Sequence, residues 1–168
     1  MSALRRTHMV SRTTEKTQTH ADQQKSLQQR LYKSDTSRED IASAYERLLA
    51  TWKVDFASRF VDTEFGETHV LESRSPKDCS VDLKPLILVP GGMGTAAMWG
   101  SVVPTLSRHH QVFCIDLIDQ VGRSRPTRVL ENQNDATRWL NQILEGLNLH
   151  HVSLIGNSIG SSLVANYE

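Results

Sequence analysis

One short segment of the sequence has a spacing that can place a reactive serine. Residues Gly156–Gly160 read Gly-Asn-Ser-Ile-Gly and match the pattern G-x-S-x-G. They follow the apolar run Val152–Ile155, which predicts a buried strand, and they open a segment that predicts a helix. A turn this tight strains the serine backbone, so the residues two positions before and after it must be small. The pattern favours a nucleophilic Ser158 between the elbow glycines Gly156 and Gly160. The alternative is a glycine-rich turn without chemistry.

Acyl transfer by a serine also needs hydrogen-bond donors for the oxyanion that develops on the attacked carbonyl. One expected donor is the backbone N–H of Ile159, directly after Ser158. The loop Pro90–Gly94 contains glycines that let the backbone approach a ligand closely, and the N–H of Gly92 is the expected second donor. Two alternatives remain for this loop: a flexible turn into a helix at Thr95, or a nucleotide-phosphate loop. The phosphate loop is disfavoured because neither of its usual glycine-rich patterns is present.

Other residues that could take part in catalysis are interpreted as structural. Asp116 ends an apolar run and leads into the turn Asp119–Ser124. A carboxylate at a strand end could be catalytic, yet we favour a structural turn. Five histidines are expected in solvated loops or on the surface: His69, His109, His110, His150 and His151. Four of them lie in connections that enter strands, and His69 lies in the hairpin, whereas catalytic groups gather at the carboxyl ends of parallel strands. None of them is therefore a convincing base for Ser158.

The elements that must position these residues follow from the apolar periodicity. Ser37 is predicted to cap a helix whose apolar face runs over residues 41–52 at i, i+3, i+4 spacing. Two strand-like runs, Arg59–Thr63 and Thr68–Glu72, then predict a hairpin with Gly66 in the connection.

The rest of the chain alternates between two kinds of pattern. Continuous apolar runs predict strands buried on both faces of a parallel sheet, at Leu86–Val89, Gln111–Asp116 and His151–Ile155. A helical pattern follows each run, over residues 98–106, after a cap at Asn134, and over Ser158–Tyr167. The sequence therefore predicts an α/β fold, with an N-terminal hairpin followed by a parallel β-α-β-α-β-α unit.

Composition excludes several classes of function. The 168 residues include 19 Lys and Arg and 19 Asp and Glu, so the chain lacks the basic excess that nucleic acid or an anionic membrane requires. Cys79 and Cys114 form neither a disulfide framework nor a metal-ligand spacing, and no run reaches the roughly 18 apolar residues of a membrane span. We expect a polar, disordered arm or loose helix at residues 1–36 and one domain at 37–168. The expected location is the cytoplasm, and the alternative is an organelle to which the basic start of the arm directs the protein.

Three motifs in chain order resemble those of carboxylesterase-like serine hydrolases with the α/β-hydrolase fold. The segment Leu88–Met93 is similar to the family's oxyanion loop, and Ile115–Ser124 resembles its D-x-x-G-x-G-x-S turn. Gly156–Gly160 is similar to its nucleophile elbow. Three positions depart from the family pattern. Pro90 stands where histidine is usual, and Asp119 and Ser161 stand where glycine is usual.

The resemblance implies hydrolysis of a carboxylic ester or related acyl compound through an acyl-serine intermediate, without a metal or organic cofactor. In this family the catalytic acid and histidine follow the serine in the chain. The ten residues after Ser158 include Glu168 and no histidine. We therefore expect an incomplete α/β-hydrolase fold, its N-terminal half, truncated and inactive as it stands. The alternative is a non-catalytic remnant or a binding-only relative of the hydrolases.

The implied strand order also bears on association. Right-handed crossovers and the family's order place Leu86–Val89 between the other two apolar runs. The outer edge of His151–Ile155 would then be apolar and unpaired, which makes it a template for association. We expect the chain to self-associate, and a completed protein to take a small-molecule acyl substrate.

Overall fold

The computed structural model describes residues 26–27, 29–73 and 83–167. The expected arm at 1–36 therefore lies largely outside the described residues, but residues 26–27 and 29–31 are helical. Just after them, the Tyr32 hydroxyl donates to the Gly122 carbonyl at 3.0 Å and accepts from the Gly122 N–H at 3.2 Å. This pair of hydrogen bonds connects the end of the arm to a turn about 90 residues further along the chain.

The first long helix, α1, spans Asp35–Leu49 and buries Tyr45 and Leu49. Ser34 caps it, because its extended backbone lets the side chain accept from the N–H of Ser37 at 3.1 Å. The prediction of Ser37 as the cap is wrong: Ser37 lies in the first turn and supplies the capped N–H. Both serines have an apolar stripe behind them, so the side-chain pattern alone did not separate them.

The predicted hairpin is confirmed and is longer than expected. Strands β1, Phe56–Thr63, and β2, Gly66–Ser73, pair antiparallel over their whole length. Gly66 is the first residue of β2 and has φ +118°, a conformation that favours glycine. Of the polar loop predicted after β2, residues 74–82 lie outside the described residues.

The parallel part of the sheet has the predicted order. Strands β3, Leu86–Val89, β4, Val112–Ile115, and β6, Ser153–Gly156, form it together, and β3 lies between the other two. The full order is β1-β2-β4-β3-β6, and the short strand β5, Arg125–Pro126, pairs with β2. Every residue of β3 and β4 is buried, as expected for strands that are covered on both faces.

Alternate residues of these strands enter two hydrophobic cores. On one face, Ile87 and Val89 pack with the helix α3, Gln133–Gly146, which buries Trp139. On the other face, Leu86 and Leu88 pack with α1 and with the segment after β3. The architecture is therefore a mixed sheet between two helical layers, the arrangement predicted from the alternation of strands and helices.

Two details of the helices differ from the sequence-based expectations. Asn132, with extended backbone, caps α3 by accepting from the Asp135 N–H at 3.0 Å, so the predicted cap Asn134 is wrong and lies inside the helix. The helix expected over 98–106 is two short pieces, a 3-10 helix at Ala96–Ser101 and α2 at Val103–Leu106. Pro104 has no N–H to continue a helical ladder, which accounts for the break.

The last helix, α4, spans Ile159–Ala165. Among the described helices, none is long and apolar enough to cross a bilayer.

Strand β6 forms one edge of the described sheet, where it pairs with β3 and with no other described strand. Ile155 within it is 38% exposed. An unpaired edge with an apolar side chain is a template for association.

We expect the 168-residue chain to elute from size-exclusion chromatography as a dimer or larger species and to unfold without a sharp transition. A monomer peak with cooperative melting would contradict this expectation.

Candidate active site

Ser158 lies in the turn that joins β6 to α4, and its backbone conformation is unusual. Its φ of 52° and ψ of −116° lie outside the regions that ordinary side chains prefer. Such a conformation costs about 1–3 kcal/mol and persists only when the surrounding structure imposes it. The side chain is exposed, and its hydroxyl makes no hydrogen bond with any residue that the structure describes. The turn thus presents a free hydroxyl to solvent at the carboxyl end of a sheet strand.

The two glycines of the motif allow this turn because no side chain fits at either position. A Cβ on Gly156 would lie 2.3 Å from the carbonyl carbon and oxygen of Gly160. A Cβ on Gly160 would lie 2.4 Å from the Val89 carbonyl oxygen and 2.5 Å from that of Pro90. All of these neighbours are backbone atoms that cannot rotate away. The spacing of the motif therefore follows from the packing of α4 against the ends of β6 and β3.

The glycine-rich loop after β3 lies beside Ser158. The N–H of Asn157 donates to the Val89 carbonyl at 3.0 Å, which ties the two turns together. A Cβ on Gly91 would be 3.3 Å from the Ser158 Cβ, and one on Gly92 would be 3.8 Å from the Ile159 Cδ1. Neither the Gly92 N–H nor the Ile159 N–H donates a hydrogen bond within the described part of the chain. Two unengaged backbone donors therefore flank the serine.

Asp116 connects several segments of the fold through hydrogen bonds. It is fully buried at the end of β4, where its carboxylate accepts four hydrogen bonds. The backbone N–H groups of Ala96 and Arg123 donate at 2.6 and 3.0 Å, and the Tyr45 hydroxyl and His69 Nδ1 lie at 3.1 and 2.9 Å. Asp116 thereby fixes the start of the 3-10 helix that follows the glycine loop, together with the turn that contains Arg123.

The expectation that His69 is solvated is wrong, because the ring is fully buried between β1 and Asp116. The burial of His69 could not be predicted, because no sequence pattern indicates that α1 covers this face of β2. Burial and the Asp116 carboxylate raise the pKa of Tyr45 above its ordinary value, so its hydroxyl remains a donor to Asp116.

The other described histidines are at or near the surface, as predicted. His109 and His110 precede β4, and His150 and His151 precede β6. Since these strands are parallel, those histidines lie at the amino ends of the strands, whereas Ser158 lies at the carboxyl end.

The free Cys114 is buried, and burial raises the pKa of its thiol above the ordinary value. Within the described ranges, no group of three or more His, Cys, Asp or Glu side chains could hold a metal ion.

Proteins of similar sequence include two carboxylesterases of Bacillus subtilis (strain 168). Carboxylesterase YbfK is 31% identical over 124 residues, which are 74% of this chain and 40% of that protein. The uncharacterized carboxylesterase nap is 28% identical over 123 residues, which are 73% of this chain and 39% of that protein. The chain thus spans about 40% of the length of these curated relatives.

Solved structures agree with the sequence comparison. The crystal structure of naproxen esterase (carboxylesterase NP) from Bacillus subtilis superposes with a TM-score of 0.72 at 26% identity, covering 80% of this chain and 45% of that one. That of carboxylesterase CesB (YbfK) gives 0.71 at 28% identity, covering 77% and 44%. A family model described as the alpha/beta hydrolase fold matches residues 84–167, from the strand before the glycine loop to the helix after the serine. With its mixed sheet, its glycine loop and its strained serine turn, the chain belongs to the α/β-hydrolase family.

Proposed function

We propose that this chain supplies the nucleophile and the oxyanion donors of a serine hydrolase that cleaves carboxylic esters or related acyl compounds. The observation that carries the proposal is the conformation of Ser158, a strained residue with an exposed hydroxyl between β6 and α4. Strain of this kind concentrates at functional sites, and a strand–turn–helix setting is the one that a nucleophile elbow requires. The carboxylesterase names of the relatives support the substrate class.

The roles of the neighbouring residues follow from the chemistry of acyl transfer. The Ser158 oxygen attacks the acyl carbon, and the carbonyl oxygen becomes an oxyanion. The N–H groups of Gly92 and Ile159 are assigned to bind that oxyanion, because both are unengaged within the described residues and the two residues are neighbours. The alcohol leaves with a proton, and water then releases the acid from the acyl-serine.

Proton transfer in this reaction needs a base, and no described histidine is suited to that role. His69 is buried against Asp116, and the others lie at the amino ends of the strands, away from Ser158. In the family, the acid and the histidine follow the serine in chain order. We therefore assign the base to residues other than those described, and the Ser158 hydroxyl, which has no partner within the described residues, supports that assignment. The same feature favours a non-catalytic, binding-only role for the 168 residues when they act alone.

The test compares two proteins on short-chain 4-nitrophenyl esters. For the 168-residue chain, we expect the same hydrolysis rate as for its Ser158→Ala variant, because a serine without its base retains little activity. For an active hydrolase that contains these 168 residues together with a base, we expect Ser158→Ala to lower kcat by about 10⁴-fold or more. Hydrolysis by that protein that is unchanged in Ser158→Ala would contradict the proposed nucleophile. Turnover by the short chain clearly above its variant would contradict the assignment of the base.

The oxyanion assignment has a separate test in the same active hydrolase. Gly92→Val places a branched side chain at a position that faces Ile159, so we expect kcat to fall by about 10- to 1,000-fold through displacement of one donor. Gly92→Ala is the matched control. Its single methyl would meet only an ordinary contact at 3.8 Å, and kcat should stay near the parent value. An unchanged kcat in a folded Gly92→Val protein would place the donor elsewhere.

A further inference from the structure

A second serine belongs to a hydrogen-bonded chain of the kind that activates nucleophiles. The Ser58 hydroxyl lies 2.7 Å from His69 Nε2, and His69 Nδ1 lies 2.9 Å from the Asp116 carboxylate. We propose that Ser58 is a reactive serine, with His69 as its base, that takes an acyl or phosphonyl group from a small electrophile. This site is separate from Ser158, because β1 and β6 are opposite ends of the sheet path, four inter-strand spacings or about 19 Å apart.

The surroundings fix which nitrogen of His69 can act as a base. Asp116 accepts from the N–H groups of Ala96 and Arg123 and from the Tyr45 hydroxyl, so three donors besides His69 face its carboxylate. A carboxylate only accepts hydrogen bonds, so the facing Nδ1 carries the hydrogen. In the neutral ring, Nε2 is then left to accept from the hydroxyl of Ser58. This is the orientation that a general base requires.

Packing holds the ring of His69 in that orientation. The Tyr45 ring meets it edge-on at 5.9 Å between centroids, and the Phe60 ring meets it at 5.2 Å. His69 and Asp116 are fully buried, whereas Ser58 is exposed. The base and its orienting carboxylate are therefore shielded from water, and only the hydroxyl that would react is accessible.

Ser58 opens into a cavity of about 360 Å³, which is a volume suited to a small organic molecule. Arg123 and Arg125 also line this cavity. Each guanidinium is held in place: Arg123 lies over the Tyr45 ring at 4.6 Å and pairs with Glu46, and Arg125 lies over the Phe60 ring at 4.4 Å and pairs with Glu67.

The step consumes no external reactant beyond the electrophile. The Ser58 oxygen bonds to the acyl carbon or to phosphorus while His69 Nε2 takes the hydroxyl proton. The bond to the leaving group then breaks, and the departing alcohol or fluoride receives that proton. With a fluorophosphonate the product is a stable phosphonyl-serine and hydrogen fluoride, so one adduct forms per chain.

The test uses the chain with Ser158→Ala, treated with a fluorophosphonate, digested and analysed by peptide mass spectrometry over time. Because a positioned base accelerates attack by about 10²–10⁴-fold, we expect Ser58 to be labelled at least about 100-fold faster than the exposed Ser101. Labelling of Ser58 no faster than Ser101 would overturn the proposal.

A second variant separates activation from exposure. His69→Gln keeps an amide that can bond to both neighbours but removes the base, so in a protein whose circular dichroism spectrum matches that of its parent, labelling of Ser58 should fall to the rate of Ser101. Undiminished labelling in that folded variant would also overturn the proposal. If His69→Gln does not fold, the comparison of Ser58 with Ser101 in the Ser158→Ala chain decides alone.

Discussion

Gly160→Ala is expected to destabilise the fold by about 3 kcal/mol, the upper end of the usual cost of over-packing, although it adds only one methyl group. The new Cβ would lie 2.4 Å from the Val89 carbonyl oxygen and 2.5 Å from that of Pro90. Both atoms belong to the backbone at the end of the central strand β3, so α4 would have to move away from the sheet. That movement would also displace Ser158, whose backbone conformation depends on this packing.

Urea unfolding of a protein that contains these 168 residues, followed by tryptophan fluorescence, measures this effect. Gly92→Ala is the matched control, because its methyl would meet only the Ile159 Cδ1, at 3.8 Å, and it should change stability by less than about 1 kcal/mol. If Gly160→Ala costs no more than the control, the close packing of α4 on β3 is not what holds the serine turn.

The second large effect is expected for Asp116→Ala, which should lower the free energy of unfolding by about 3–5 kcal/mol. The carboxylate is fully buried and accepts from two backbone N–H groups, a tyrosine hydroxyl and an imidazole. Alanine would leave all four donors buried and without that acceptor, and each unsatisfied group costs about 1–3 kcal/mol before the structure relaxes.

Two further variants make the Asp116 result specific. Asp116→Asn keeps one acceptor oxygen and should lose less stability than alanine does. Asp62→Ala removes an exposed carboxylate from β1 and should change stability by no more than about 0.5 kcal/mol. Equal effects of Asp116→Ala and Asp62→Ala in urea unfolding would show that the buried network contributes little to the fold.

The sequence predicted the parts of this fold that depend on local pattern. Continuous apolar runs identified β3 and β4, because a strand that is covered on both faces has no solvent-exposed face that requires polar side chains. The spacing of Gly156 and Gly160 identified the serine turn, because backbone atoms occupy the space of both side chains. The position of β3 between β4 and β6 followed from the handedness of crossovers together with the strand order of the family that the motifs resemble.

The incorrect predictions concern features that local pattern does not determine. Ser34 and Ser37 are equally good capping residues by type, and only the extended backbone of Ser34 decides between them. The same holds for Asn132 and Asn134 at the start of α3. His69 reads as an ordinary strand residue, and its burial results from α1 packing across β2 through Tyr45, a contact between distant segments. The hydrogen bonds that connect Ser58 to Asp116 through His69 likewise depend on the pairing of three strands, β1, β2 and β4, which no local pattern predicts.

The most direct test of the central claim is to locate the covalent adduct that stops ester hydrolysis in an active hydrolase that contains these residues. The protein is treated with a fluorophosphonate until hydrolysis of 4-nitrophenyl esters ceases, and the modified peptide is then identified by mass spectrometry. We predict that loss of activity parallels modification of Ser158, and that an adduct on Ser58 alone leaves hydrolysis intact. Loss of activity with Ser158 unmodified would contradict the account.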